Sequence, residues 1–318
     1  MLRHFSKFPA LILLIAGAAL LNWDCSKKNI SSIDYKTATI SYVLSTGANT
    51  TYFENAVHIA GLDSVFNGAG PFTVFVPNDQ AFEASGISMT DLNAYSMDQA
   101  RQLVLYHTVA GLALNSSEFI GKNESKLVTA NGDSIFITAD SNRMFVNGML
   151  VTASDVAAAN GVMNAMPGVL QAPVSNLLET IQADTSFSFL CNAISLASAN
   201  PDSVSHLFSW DGPFTFLAPD NDAFRSLGYN MPQDLDTLNP DSLRLMILSQ
   251  VIPQRLFSCD IPDSSSFQTV SDSTLNFTST GISLQAQLAG HSPVANLVSD
   301  ARMATNGVLF KVDEILLP

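Results

Sequence analysis

The chain contains one of its own segments twice. Gly70-Pro71-Phe72-Thr73-Val74-Phe75-Val76-Pro77-Asn78-Asp79-Gln80-Ala81-Phe82 returns 142 residues later as Gly212-Pro213-Phe214-Thr215-Phe216-Leu217-Ala218-Pro219-Asp220-Asn221-Asp222-Ala223-Phe224. A second landmark, Asn160-Gly161-Val162 with Val169-Leu170 behind it, returns 146 residues later as Asn306-Gly307-Val308 with Ile315-Leu316 behind it. Two landmarks in the same order at nearly equal offsets define two copies of one domain of about 140 residues, not a solenoid of short units. A length of 318 residues suits two such cores. The copies are placed at 36–173 and 174–318, behind a leader at 1–24 and a linker at 25–35. Hydrophobic residues make up 47% and charged residues 13% of the chain, which supplies apolar material for both cores and excludes disorder.

Within the first landmark, Phe72 to Val76 is a short β-favouring run that reads as a buried strand. Pro77 ends it, and Asn78 or Asp79 caps a helix carrying Ala81 and Phe82. Pro219, Asp220 and Asn221 repeat that logic. Upstream, Phe53, Val57, Ile59 and Ala60 lead to Gly61 at helical spacing; Phe187, Leu190, Ile194 and Ala197 do the same in the second copy. Helices are expected again at 97–105 and 241–248. The runs 134–138 and 144–146 form a hairpin, with 274–278 and 282–284 as counterparts, and the last strands start at Val162 and Val308. Helices early and strands late in each copy indicate an α+β fold with an antiparallel sheet system.

The net charge is −14, from 28 acidic and 14 basic side chains, and no basic stripe reverses it locally. Such a surface repels phosphate backbones, so nucleic acid is excluded as a partner. Arg3, His4 and Lys7 precede the uncharged run Phe8 to Leu21, which has the length of a signal-peptide hydrophobic region. Cys25 follows, in the pattern of a bacterial lipoprotein signal, although Asp24 stands where that signal usually has a small residue. Lipidation of Cys25 is expected, with an ordinary signal peptide or an uncleaved anchor as the alternatives. Cys191 and Cys259 remain in the second copy. An exported protein permits a bridge between them, and a buried free thiol is equally ordinary for Cys191 in its apolar helical setting.

With these residues in view the chain resembles the fasciclin domain family. Gly70 to Phe82 is similar to the family's first signature, Leu105-Tyr106-His107-Thr108-Val109 to its central Tyr-His element, and Asn306 to Pro318 to its closing signature. The likeness runs through nearly all of residues 36–318, twice in the same order. It implies two tandem antiparallel sheet wedges or sandwiches, each with several helices packed at one side. It also implies extracellular adhesion or matrix modules with no shared catalytic centre. The copies depart from the pattern in different places. Met163 to Gly168 is a degraded ending in the first, and Ser249-Gln250 replaces Tyr-His in the second. Any role that the family gives to Tyr-His is therefore confined to the first copy.

Tyr106 and His107 are the candidate ligand contacts, weighed against a core histidine bonded to backbone, as its apolar neighbours suggest. Asp220-Asn221-Asp222 is read as helix capping in preference to a calcium site. No catalytic, metal or cofactor motif is found. The expected function is an exported, lipid-anchored outer-membrane protein, at the cell surface or on the periplasmic face, that binds a matrix or cell-surface protein or a polysaccharide. The alternatives are a structural accessory lipoprotein of an outer-membrane complex and, further off, an envelope polysaccharide hydrolase.

Overall fold

The computed structural model describes residues 37–122, 124–198, 204–210, 212–280, 283–299 and 301–318. The expected leader, Cys25 and the expected linker at 25–35 lie outside the described residues. The first domain runs α1 (Ile40–Thr46), α2 (Thr51–Ile59), α3 (Asp63–Asn67), β1 (Phe72–Pro77), α4 (Asp79–Ala84), α5 (Met89–Asn93), α6 (Met97–Tyr106), β2 (Thr108–Ala110), β3 (Ser125–Val128), β4 (Ser134–Ala139), β5 (Met144–Val146), β6 (Met149–Leu150), β7 (Ala153–Ala158) and β8 (Gly161–Met166). The second follows with α7 (Leu177–Gln182), α8 (Ser188–Ala197), α9 (Val204–Trp210), β9 (Phe214–Pro219), α10 (Asn221–Ser226), α11 (Pro240–Leu248), β10 (Val251–Ile252), β11 (Ser265–Gln268), β12 (Thr274–Ser279), β13 (Leu284–Leu288), β14 (Val294–Asn296), β15 (Arg302–Ala304) and β16 (Gly307–Val312). The expected strand at 282–284 starts only at Leu284 and continues to Leu288; Ile282 lies outside the described residues.

Among the described residues each domain holds two four-stranded sheets, ordered β2-β1-β8-β7 and β3-β4-β5-β6 in the first, β10-β9-β16-β15 and β11-β12-β13-β14 in the second. The α+β architecture is the expected one, and its pairing is antiparallel except at the centre, where β1 runs parallel to β8 and β9 parallel to β16. The two sequence landmarks are these partners. Phe72 faces Gly161, and Phe214 faces Gly307. A Cβ on Gly161 would collide with the Phe72 carbonyl, and one on Gly307 with that of Phe214, so only glycine lets the strands meet. The asparagine before each glycine ties helices to the sheet. Asn160 Oδ1 accepts from Ile40 N at 2.9 Å, while its Nδ2 donates to the carbonyls of Phe66 and Gly68 at 2.8 Å. Asn306 does the same for Leu177 N and the Phe208 carbonyl.

β1 is buried along its whole length because it has a core on each side. Val74 and Val76 pack under the helices, with Phe53, Phe66 and Phe82. Phe75, between them, points the other way, onto Ile135, Ile137 and Tyr106. Strand alternation therefore delivers apolar residues to both faces, which explains the unbroken run Phe72 to Val76.

The polar pair after the strand caps two helices at once. Asn78 Oδ1 accepts from Ala81 N at 2.8 Å and starts α4. Asp79 Oδ1 accepts from Tyr52 N at 3.0 Å in the first turn of α2. Asp220 caps α10, and Asn221 Oδ1 accepts from Phe189 N in α8. Asn78→Ala should therefore lower stability by about 1 kcal/mol in urea unfolding, the usual loss for an N-cap.

Candidate functional site

The domains meet through a side chain that leaves its own core. On β4, Ile135 and Ile137 face inward, so Phe136 must face out. It is nevertheless only 6% exposed, because it inserts into the second domain's cluster of Ile252, Leu256 and Phe257. The Arg255 guanidinium lies 3.9 Å over the Phe136 ring, and Thr138 Oγ1 donates to Asp260 Oδ1 at 2.6 Å. Phe257 also presses on the β5–β6 turn, where a Cβ on Gly148 would stand 2.9 Å from the Phe257 side chain. Glu124 and Arg255 bring opposite charge to this junction, where Glu124 Oε1 and Arg255 Nε are buried with no hydrogen-bond partner. Burial drives the Glu124 carboxyl up to about 7 against the pull of Arg255, and the same burial lowers Arg255.

The second domain holds the same positions with different residues. Its register places Asn276 where the first domain has Phe136. The hydroxyl of Thr73 bonds Leu112 O and Leu114 N, and that of Thr215 bonds Gln254 O and Leu256 N, which aligns Ala113 with Arg255 and Asn115 with Phe257. Ala113 and Asn115 are exposed. Among the described residues the apolar contact is thus made once, between unlike faces.

Beside the junction lies a cleft of about 450 Å³ lined by Asn147, Met149, the extended segment Val169 to Ser175, Thr180 and Met303. Tyr106 and His107 sit beneath its floor. Asn147 Nδ2 donates to the Tyr106 hydroxyl at 3.1 Å, and that hydroxyl donates to Ser134 O at 3.3 Å. His107 Nε2 accepts from Leu170 N at 2.9 Å, while its Nδ1 donates to Leu103 O at 2.7 Å. Both of these candidate ligand contacts are buried, at 1% and 0% exposure. Through these bonds they hold Asn147 and Leu170, two residues that line the cleft. Burial pushes the Tyr106 hydroxyl up to about 12 and His107 down to about 4, which keeps both neutral.

The Fasciclin domain family matches residues 48–172 and 187–318. The chain belongs to the fasciclin family. Among similar proteins, transforming growth factor-beta-induced protein ig-h3 of Sus scrofa is 26% identical over 267 residues, covering 79% of this chain and 35% of that protein. Stabilin-1 of Mus musculus is 30% identical over 142 residues, 42% of this chain and 5% of its own length. The chain thus spans about a third of the first relative and a small part of the second. A solved FAS1 domain pair from the insect cell adhesion molecule Fasciclin I covers 84% of this chain and 96% of its own, at 17% identity and a TM-score of 0.41.

In the second fasciclin domain Gln250 does the work of His107. Its Nε2 donates to Met246 O at 3.1 Å, four residues back as in His107 and Leu103, and its Oε1 accepts from Leu316 N at 3.3 Å. The missing Tyr-His is thus replaced, in its histidine half, by a group with the same donor and acceptor. Cys191 and Cys259 are free thiols, so the bridge considered above is not formed. Cys191 packs on the helical core of its domain and Cys259 on the sheet core. Among the described residues no His, Cys, Asp and Glu cluster is arranged to hold a metal.

Two contributors to the site were missed in the sequence although signals were present. Phe136 breaks the alternation of β4, as the middle of three consecutive apolar residues. Asn147-Gly148 is the residue pair preferred in two-residue hairpin turns, and both adopt positive φ here, 49° and 80°.

Proposed function

We propose that this chain is an exported adhesion protein that is held to the membrane by lipid on Cys25 and binds a protein or a glycan through its fasciclin pair. The observation that carries this reading is that both halves are fasciclin domains, modules of extracellular adhesion and matrix proteins. Their joining through a buried contact supports it, because a fixed pair offers one composite surface at lower ordering cost than two loose modules. The basic, apolar, Cys-bearing start of the sequence supports export. Protease treatment of intact cells tests the proposal. Digestion before the outer membrane is opened is the expected result. Full protection until it is opened would exclude external adhesion and favour an accessory lipoprotein of a periplasmic assembly.

A further inference from the structure

The cleft beside the junction has a wall of unusual kind. β15 is the edge strand of its sheet. It pairs with β16 as Arg302 with Leu309, Met303 with Val308 and Ala304 with Gly307, around the two-residue turn Thr305-Asn306. A two-residue hairpin makes Ala304 and Gly307 a hydrogen-bonded pair. Pairs then alternate, so the N–H and C=O of Met303 point away from β16. The same alternation sends Thr305 N outward, where it donates to Ser175 O at 3.0 Å. There the interdomain segment and β15 meet. Both also line the cleft, the segment with Val174 and β15 with Met303.

Three polar side chains of the cleft are already engaged, and Gln171 and Ser175 line it as well. Asn147 bonds Tyr106 and Phe136 N, Thr180 bonds Asn176 O, and Arg302 pairs with Asp184 at 3.0 Å. The cleft also offers main-chain hydrogen-bonding capacity in strand geometry, flanked by Met149, Met303 and Val169. Methionines adapt to varied apolar side chains. An extended peptide needs a free strand edge and apolar flanks, and the cleft has both. The volume is within the range of ligand pockets, about 300–1,000 Å³.

We propose that this cleft is a docking site for an extended peptide segment of a partner protein, which adds to the free edge of β15 through the N–H and C=O of Met303. The proposal rests on the binding-module reading above and narrows its partner to a protein. It is supported by continuity with the junction: the β5–β6 turn packed against Phe257 also forms part of the cleft, so the site exists only where the two domains are joined.

Selecting a displayed library of random twelve-residue peptides on the full chain, then measuring the selected peptides in solution, tests this. Met303→Pro removes the outward N–H without touching the β15–β16 ladder, a change that edge strands tolerate. Selected peptides should bind this variant about tenfold more weakly, the loss of one main-chain hydrogen bond. If the variant fails to fold, hydrogen exchange on the parent chain decides, with the Met303 amide slowing on peptide addition. No enriched peptide, equal binding to the variant or an unchanged Met303 amide would overturn the proposal. So would protection of that amide by a soluble polysaccharide and not by peptides. Failure of surface exposure in the protease experiment leaves these readouts untouched, so the two ideas fail separately.

Discussion

A Phe136→Asn chain is expected to unfold in two thermal steps where the parent unfolds in one, and to lose about 3–4 kcal/mol from the coupled unit, near the lower end for truncating a buried phenylalanine. The first step should fall on the order of 10 °C below the parent midpoint for domains of this size. Among the described residues Phe136 is the one side chain of the first domain in the second domain's apolar cluster, and Arg255 stacks on its ring. With Asn there, the Arg255 guanidinium keeps its burial and loses the aromatic face that offsets it. The natural control is at the equivalent position. Asn276 bonds the Ser266 hydroxyl at 2.7 Å near solvent, and Asn276→Phe should change stability by no more than about 0.5 kcal/mol. Differential scanning calorimetry separates the cases. If both variants unfold like the parent, Phe136 is not the anchor of the junction.

The same residue marks where sequence reading stopped. Local chemistry was legible. Phe72 to Val76 needed only β-propensity to be a strand, and Asn78 and Asp220 needed only their position before Ala-Phe to be caps. The second half of each cap was not legible, because Asp79 serves α2, whose first turn lies 27 residues earlier in the chain. The parallel pairing of β1 with β8 was hidden for a related reason. Repetition showed that Gly161 and Gly307 matter, but that each glycine lies against a particular phenylalanine carbonyl is a matter of long-range register. Phe136 carried a readable sign in its broken alternation. An outward phenylalanine indicates that something covers it, and composition cannot say that the cover is the second copy. Tyr106 and His107 stand out in the sequence as an element that only the first copy carries. Their role could not be assigned, because an apolar neighbourhood fits both a buried histidine and a contact surface until its two hydrogen-bond partners are known.

Those partners make the second large effect a matter of arithmetic. His107→Ala should cost about 3–5 kcal/mol at pH 7, since it leaves Leu170 N–H and Leu103 C=O unbonded in a dry interior and opens a cavity. His107→Gln should cost no more than about 1 kcal/mol, because Gln250 already meets the same two demands in the second domain. The pair of variants also isolates a pH effect. His107 sits near 4 in the fold and about 6.5 when unfolded, so between those values the unfolded chain holds more protons. Its contribution is fully present above about pH 6.5 and is lost as pH falls toward 4, a loss of about 3 kcal/mol. Glutamine does not titrate. The glutamine variant should therefore be slightly less stable than the parent at pH 7 and more stable at pH 4, with the curves crossing between. Urea unfolding at the two pH values measures this difference directly, and the carboxylates common to both chains cancel. Parallel curves for parent and glutamine variant would mean that His107 is charged, or reached by water, in the native state. In that event the floor of the cleft would be open, and the histidine would have to be reconsidered as a ligand contact.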